Sequence, residues 1–82
     1  AYDAARTAFE RLAEADRRAV QEALVWTGDY NGTIGTTFGR RTFEALQAVQ
    51  RRAKAPADGI LDERARAGLL AAAAREKTAA GF

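Results

Sequence analysis

The stretch YNGTIGTTFGRRT, residues 30–42, decides the fold of this 82-residue chain. It is a glycine-punctuated loop without helical periodicity that leads directly into an amphipathic helix. Residues 57–62, ADGILD, repeat this arrangement before another helical segment, and Leu46 and Leu69 lie 23 positions apart in the two copies. Because two units are too few for a solenoid, they predict a small helical bundle around one core.

Composition narrows the fold class further. Hydrophobic residues make up 48% of the chain, and alanine is the commonest of them. A chain of this length forms one domain that buries only roughly 60 to 65% of its unfolded surface. Alanine favours closely packed helices over a bulky aromatic core, so we expect an all-α domain.

Several residue types that carry chemistry are missing. The chain contains no cysteine, histidine, methionine or serine. Thiol and serine nucleophiles, imidazole bases and Cys/His zinc sites are therefore excluded. The aspartates that remain lie where helix caps and turns favour this residue, and they show no calcium-loop spacing. The aspartates in question are Asp16, Asp29, Asp58 and Asp62. We therefore expect a domain that is not an enzyme and that has no catalytic residue, metal site or cofactor.

The charge balance identifies no partner by itself. The chain has 13 basic and 11 acidic residues, for a net charge of +2. Arg-Arg pairs at 17–18, 40–41 and 51–52 concentrate positive potential only locally, so we expect no nucleic-acid partner. No apolar stretch approaches the roughly 20 residues that span a bilayer, and the first residues lack a signal-peptide pattern.

Apolar periodicity predicts two helices before the first loop. The first covers residues 3–13, with Asp3 as a possible cap, and the second begins with Asp16 as N-cap and stops at Gly28. The residues between them form a corner or a kink. The predicted inward residues of these two helices are Ala5, Phe9, Leu12, Val20, Ala23 and Leu24.

Two more helices follow the glycine-rich loops. One extends from about Gly39 to Lys54, before Pro56, and the other from its cap Asp62 to about Glu76. Their predicted inward residues are Thr42, Ala45, Leu46, Val49 and Ala53 in the third helix and Ala65, Leu69, Ala72 and Ala73 in the fourth. The loops themselves should place Phe38 and either Ile60 or Leu61 in the core.

The ordered set of motifs resembles the three-helix peptidoglycan-binding domain found beside bacterial cell-wall hydrolases. In that family a Gln- and Leu-bearing helix leads through a Gly-rich loop to an FGxxT turn, then to an apolar-Gln pair and an Asp-Gly turn. The resemblance covers roughly residues 16 to 73, although Gly35-Thr36 stands where the family has Asp-Gly. The matching segments are Val20-Gln21-Glu22-Ala23-Leu24, Phe38-Gly39-Arg40-Arg41-Thr42, Val49-Gln50 and Asp58-Gly59-Ile60-Leu61-Asp62.

The resemblance implies an architecture and a location. We expect a small closed three-helix bundle with large crossing angles at residues 16–76, with an accessory helix at 1–15 packed on it. Residues 77–82 would be a tail or linker toward a further domain, which would perform catalysis in a longer exported protein. The expected location is the periplasm or cell envelope, and the expected state is a monomer.

A candidate ligand site lies at the start of the central helix. Stem peptides of peptidoglycan carry free carboxylates, which bind to helix N-termini and arginine forks. The turn from Gly39 to Thr42, with Thr37 before it, offers unpaired N–H groups, the guanidinium groups of Arg40 and Arg41 and a hydroxyl. The alternative is that Thr42 is buried or caps locally and that the arginines are merely solvated.

Aromatic and amide side chains complete the candidates. Trp26 and Tyr30 could stack on a sugar ring, although a lone Trp in an alanine-rich bundle is more typical of a core anchor, and Tyr30 is expected to be exposed. Gln21 and Gln50 are expected to hold the two loops through backbone hydrogen bonds rather than to contact ligand.

These patterns favour non-catalytic binding of peptidoglycan or muropeptides. The alternative is a helical, propeptide-like domain that packs on an attached hydrolase, for which an exposed apolar patch around Tyr2 and Phe9 would be needed. A weaker alternative is nucleic-acid binding through the Arg-Arg pairs.

Overall fold

Four α-helices form the regular structure of the protein. The computed structural model describes residues 1–81 and contains no strand in that range, which confirms the all-α prediction. Phe82, the last residue of the predicted tail, lies outside the described residues. The helices are α1 (Tyr2–Glu10), α2 (Glu14–Trp26), α3 (Arg40–Arg52) and α4 (Glu63–Ala79).

Of the three aspartates predicted to cap helices, one does so. Asp62 caps α4, because its Oδ1 accepts a hydrogen bond of 2.7 Å from the backbone N–H three residues further on. The predicted caps Asp3 and Asp16 are wrong, since α1 begins after Ala1 and α2 after Ala13. Both aspartates instead lie in the first turn, where a carboxylate still interacts favourably with the positive end of the helix dipole.

The ends of α2 and α3 share one hydrogen-bonding pattern. After α2, Gly28 adopts φ +80°, its N–H donates to the carbonyl of Val25, and the next N–H donates to the carbonyl of Leu24. This is the Schellman motif, for which a left-handed residue is required. The predicted stop at Gly28 is therefore confirmed. After α3, Lys54 occupies the same position with φ +60°.

The fourth helix differs from its prediction in length and in burial. It continues to Ala79, so part of the predicted tail is helical. Ala65 of α4 was expected to face the core but is exposed, because it borders an open groove of about 490 Å³ between the end of α3 and the start of α4. Ala53, at the end of α3, was also expected to face the core and is exposed on the other side of the same groove. Among residues 1–81, no helix is both long and apolar enough to cross a membrane.

An aromatic cluster joins α1 to the rest of the core. Phe38 is buried, as predicted, and its ring centroid lies 5.3 Å from that of Phe9 and 5.4 Å from that of Tyr2. Phe43 was missing from the predicted inward stripe, but it is buried because α1 covers this side of α3 and brings Tyr2 within 5.3 Å of it. Each such ring pair contributes about 0.5 to 1.5 kcal/mol beyond burial.

Candidate functional site

A buried glutamine fastens the first loop to two helices. Gln21 is only 2% exposed, and its Nε2 donates a hydrogen bond of 3.0 Å to the carbonyl of Thr37. Its Oε1 accepts a hydrogen bond of 3.1 Å from the hydroxyl of Thr42, at the start of α3. The predicted role of Gln21 is confirmed, because one amide satisfies both groups and fixes the loop on α2 and α3.

Gln50 performs the same task for the second loop. Its Oε1 accepts a hydrogen bond of 2.8 Å from the N–H of Gly59, and its Nε2 donates to the carbonyl of Ile60 and to Oδ1 of Asp58. The N–H of Ile60 and the Gln50 amide together hold the pKa of Asp58 below its usual value. The predicted role of Gln50 is therefore also confirmed.

The first loop and the start of α3 enclose a groove of about 440 Å³, here called the loop groove. It brings together six of the seven residues that the sequence singled out as ligand-binding candidates, drawn from two different elements. Its lining consists of Gln21, Tyr30, Thr33, Gly35, Thr37, Gly39, Arg40, Arg41 and Thr42.

Gly39 leaves the start of α3 open beside this groove. Gly39 is the N-cap of α3, with extended backbone, and no side chain among residues 1–81 caps the helix. At the corresponding position of α4, 23 residues later, Asp62 supplies its carboxylate. The first N–H groups of α3 are thus left for solvent or for an anionic ligand, which the helix dipole favours.

Two arginines flank the open helix start. Both Arg40 and Arg41 are exposed. The guanidinium carbon of Arg40 lies 5.3 Å from the ring centroid of Tyr2, a cation–π arrangement, and Nη1 of Arg41 donates a hydrogen bond of 3.3 Å to the carbonyl of Asn31. These contacts use only part of each guanidinium, which leaves N–H donors for a carboxylate.

Thr42 and Tyr30 contribute to the groove through fixed positions. Thr42 is 1% exposed, and its hydroxyl donates to Gln21. Thr42 therefore lies at the floor of the groove, and its hydroxyl is not free to donate to a ligand. Tyr30 is half-buried rather than exposed, because its hydroxyl donates to the carbonyl of Thr33 and its ring lies on Gly32. A Cβ atom at Gly32 would come within 2.8 Å of the Tyr30 oxygen.

Trp26 does not share this groove. It is half-buried in a cleft of about 200 Å³ between α2 and α4, beside Leu70 and close to the Glu22–Lys77 salt bridge. Trp26 follows Gln21 by five residues, which rotates it by about 140° around α2, away from the loop. The structure therefore separates it from the other candidates.

An ion pair that the sequence did not reveal joins the start of the first loop to the end of α3. The carboxylate of Asp29 accepts two hydrogen bonds of 2.9 Å from Arg52 and one of 2.6 Å from the hydroxyl of Thr27. The bond with Arg52 is the main reason that the pKa of Asp29 is held below its ordinary value. Because the partners lie 23 positions apart on different elements, no local pattern pointed to the pair.

A second depression, here called the polar cleft, adjoins the loop groove. It has a volume of about 340 Å³ and shares Tyr30 and Arg41 with the loop groove as a common wall. Its remaining lining residues are Asp29, Asn31, Glu44 and Ala45.

Comparison with known proteins identifies the family. Searches of curated proteins and of solved structures gave no match. A family model described as "Putative peptidoglycan binding domain" matches residues 13–69, which span α2, both loops, α3 and the first part of α4. This match covers more than half of the chain and confirms the resemblance drawn from the sequence motifs. The chain belongs to this family of peptidoglycan-binding domains.

Proposed function

We propose that the protein binds peptidoglycan without catalysis and that the loop groove receives a carboxylate of the stem peptide. One observation carries this proposal. Six candidate residues, chosen for their chemistry, line a single groove beside an uncapped helix start. We also propose that this binding unit occupies residues 16–76, with α1 as an accessory helix.

The groove has the donors that a carboxylate needs. Gly39, Arg40 and Arg41 all line the groove, and they supply the uncapped start of α3 and two guanidinium groups. Hydrogen bonds from charged donors to a carboxylate are roughly twice as strong as neutral ones. The bond from Gln21 to the carbonyl of Thr37 holds the loop before ligand arrives, and the Gln21–Thr42 bond fixes the start of α3, so little conformational entropy is lost on binding.

The proposed role is to hold an attached domain at the cell wall through weak binding to the many sites of the polymer. A shallow groove on a domain this small supports micromolar to millimolar affinity, and the polymer raises the effective concentration of sites. Such a domain would hold an attached catalytic domain at the wall, in the periplasm or cell envelope.

The structure disfavours the propeptide-like alternative. That function needs an exposed apolar patch around Tyr2 and Phe9, but Phe9 is only 4% exposed and Tyr2 packs against Phe38 and Phe43. Four of the six arginines invoked for nucleic-acid binding also have structural partners, including Arg40 and Arg41 through their contacts with Tyr2 and Asn31. Arg17 donates to a backbone carbonyl at 2.6 Å, and Arg52 pairs with Asp29.

Co-sedimentation with purified sacculi tests the proposal. The wild-type protein should pellet with sacculi and be released by soluble muropeptides, whereas Arg41→Gln should remain largely in the supernatant. Arg75→Gln is the matched control, because it removes the same charge from an exposed position on α4. A wild-type protein that stays in the supernatant, or equal losses in the two variants, would contradict the proposal.

A further inference from the structure

The polar cleft places a negative charge beside the proposed carboxylate site. We propose that the stem peptide recognised here carries a free amine in addition to its carboxylate, and that this ammonium group binds to Glu44 in the polar cleft. This inference rests on the proposed function, since it extends the ligand from the loop groove across the shared wall of Tyr30 and Arg41.

The two acidic residues of the polar cleft differ in what they can still bind. The carboxylate of Asp29 is engaged by Arg52 and Thr27, so its charge is already compensated. Glu44 is exposed, and no cation of residues 1–81 lies within salt-bridge distance of it. Of the two carboxylates in this cleft, Glu44 is therefore the one without an ion-pair partner among residues 1–81.

Arg41 and Glu44 are neighbours on α3 that do not pair. They are three residues apart and thus occupy adjacent positions on the helix surface, with about 5 to 6 Å between their Cβ atoms. Arg41 instead donates to the carbonyl of Asn31 in the first loop. A positive and a negative site consequently lie side by side, each available to a group of opposite charge.

This spacing selects a class of ligand. A ligand that uses both sites must carry a carboxylate and an ammonium group close together, as a diamino acid with a free carboxylate and an unacylated side-chain amine does. When the amine forms a peptide cross-link it becomes an amide and loses its charge. The domain should therefore prefer stem peptides that are not cross-linked through this amine.

The preference should be modest. An ion pair at an exposed position contributes little, and the expected difference in affinity is about threefold to fivefold at low salt. Added salt should reduce it further, because exposed charges are screened.

Two soluble muropeptides test the inference: one with a free side-chain amine and the same compound with this amine acetylated. Titrations of the 82-residue chain, followed by amide chemical shifts, should give tighter binding of the free-amine form. Glu44→Gln should bind both forms with the weaker affinity. Glu76→Gln, which removes the same charge from α4, should keep the wild-type preference.

The outcomes separate this inference from the function on which it rests. Equal wild-type affinity for the two muropeptides would overturn the role of Glu44 and leave peptidoglycan binding intact. Tighter binding of both forms by Glu44→Gln would also overturn it, because Glu44 would then compete with ligand for Arg41. If neither muropeptide binds, the proposed function fails and the inference with it.

Discussion

The hydroxyl of Thr42 donates a hydrogen bond of 3.1 Å to Oε1 of Gln21, and both side chains are almost fully buried. The bond ties the first turn of α3 to α2, and the other end of the same amide holds the loop at Thr37. The geometry of the loop groove thus depends on one side chain that no ligand needs to contact.

Replacing Gln21 should destabilise the fold. Gln21→Leu keeps the approximate volume but leaves the buried hydroxyl of Thr42 without its acceptor, at an expected cost of about 2 to 3 kcal/mol. Gln47→Leu is the control, since Gln47 is half-buried and makes one bond, to the carbonyl of Ala57. It should cost under about 1 kcal/mol in urea denaturation. Equal losses would show that Gln21 is not the anchor.

Two glycines with the same backbone angle should respond differently to alanine. Gly28 and Gly59 have φ of +80° and +79°. A Cβ at Gly28 meets open space, whereas one at Gly59 would lie 2.6 Å from the ring of Phe43. Gly28→Ala should cost about 1 to 2 kcal/mol from the left-handed conformation alone. Gly59→Ala should cost roughly 1 to 3 kcal/mol more, because the ring must also move. Thermal or urea unfolding of both variants measures the difference, and similar stabilities would contradict the packing at Phe43.

Structural features that depend on residues close together in the sequence were predictable. Asp62 as a cap and Gly28 as a helix stop depend on short-range chemistry, and both are confirmed. The loop-holding roles of Gln21 and Gln50 join residues 8 to 21 positions apart; they were predicted because buried amides need partners, and they are also confirmed. The burial of Phe43 was not predictable in this way. It depends on α1, which lies more than 30 residues away in sequence and packs on that side of α3.

The Asp29–Arg52 pair should make stability depend on pH in acid. The hydrogen bond with Arg52 lowers the pKa of Asp29 in the folded state. Its contribution is therefore complete above the unfolded pKa, about 3.9, and is lost as the pH falls through the lower folded value. Asp29→Asn should be less stable than wild type at pH 6, and the difference should shrink toward pH 2.

Arg52→Gln removes the same pair from its other side and should converge with wild type over the same pH range. Urea midpoints measured across that range for both variants provide the check. A difference from wild type that stays constant down to pH 2 would show that the ion pair is not its cause.

Lys54 offers a stabilising substitution. Its φ of +60° is the left-handed conformation that ends α3, and a side chain there is disfavoured relative to glycine. Lys54→Gly should raise the free energy of unfolding by about 0.5 to 1 kcal/mol. Arg51→Gly, inside the last turn of α3, should lower it by about 0.5 to 1 kcal/mol. Thermal unfolding distinguishes the two, and a loss of stability in Lys54→Gly would contradict the strain assigned to this residue.

The candidate site was predictable in part for the same physical reason as the fold. Gly39, Arg40, Arg41 and Thr42 are consecutive, so their convergence follows from the loop-to-helix pattern. The polar cleft and the position of Trp26 depend on how helices rotate and pack against each other. Such long-range contacts leave no signature in short motifs, and Trp26 accordingly lies in a separate cleft.

Amide chemical shifts during a muropeptide titration test the central claim most directly, because they report on the loop groove and on the cleft around Trp26 at once. The loop groove should respond, with the largest changes at Tyr30, Thr37 and Gly39 through Thr42, while the indole N–H of Trp26 stays in place. Saturable changes centred on that segment, and reaching Glu44 when the muropeptide has a free side-chain amine, are the predicted result. Shifts that miss residues 30–42, or that centre on Trp26, would contradict the assignment of peptidoglycan binding to the loop groove.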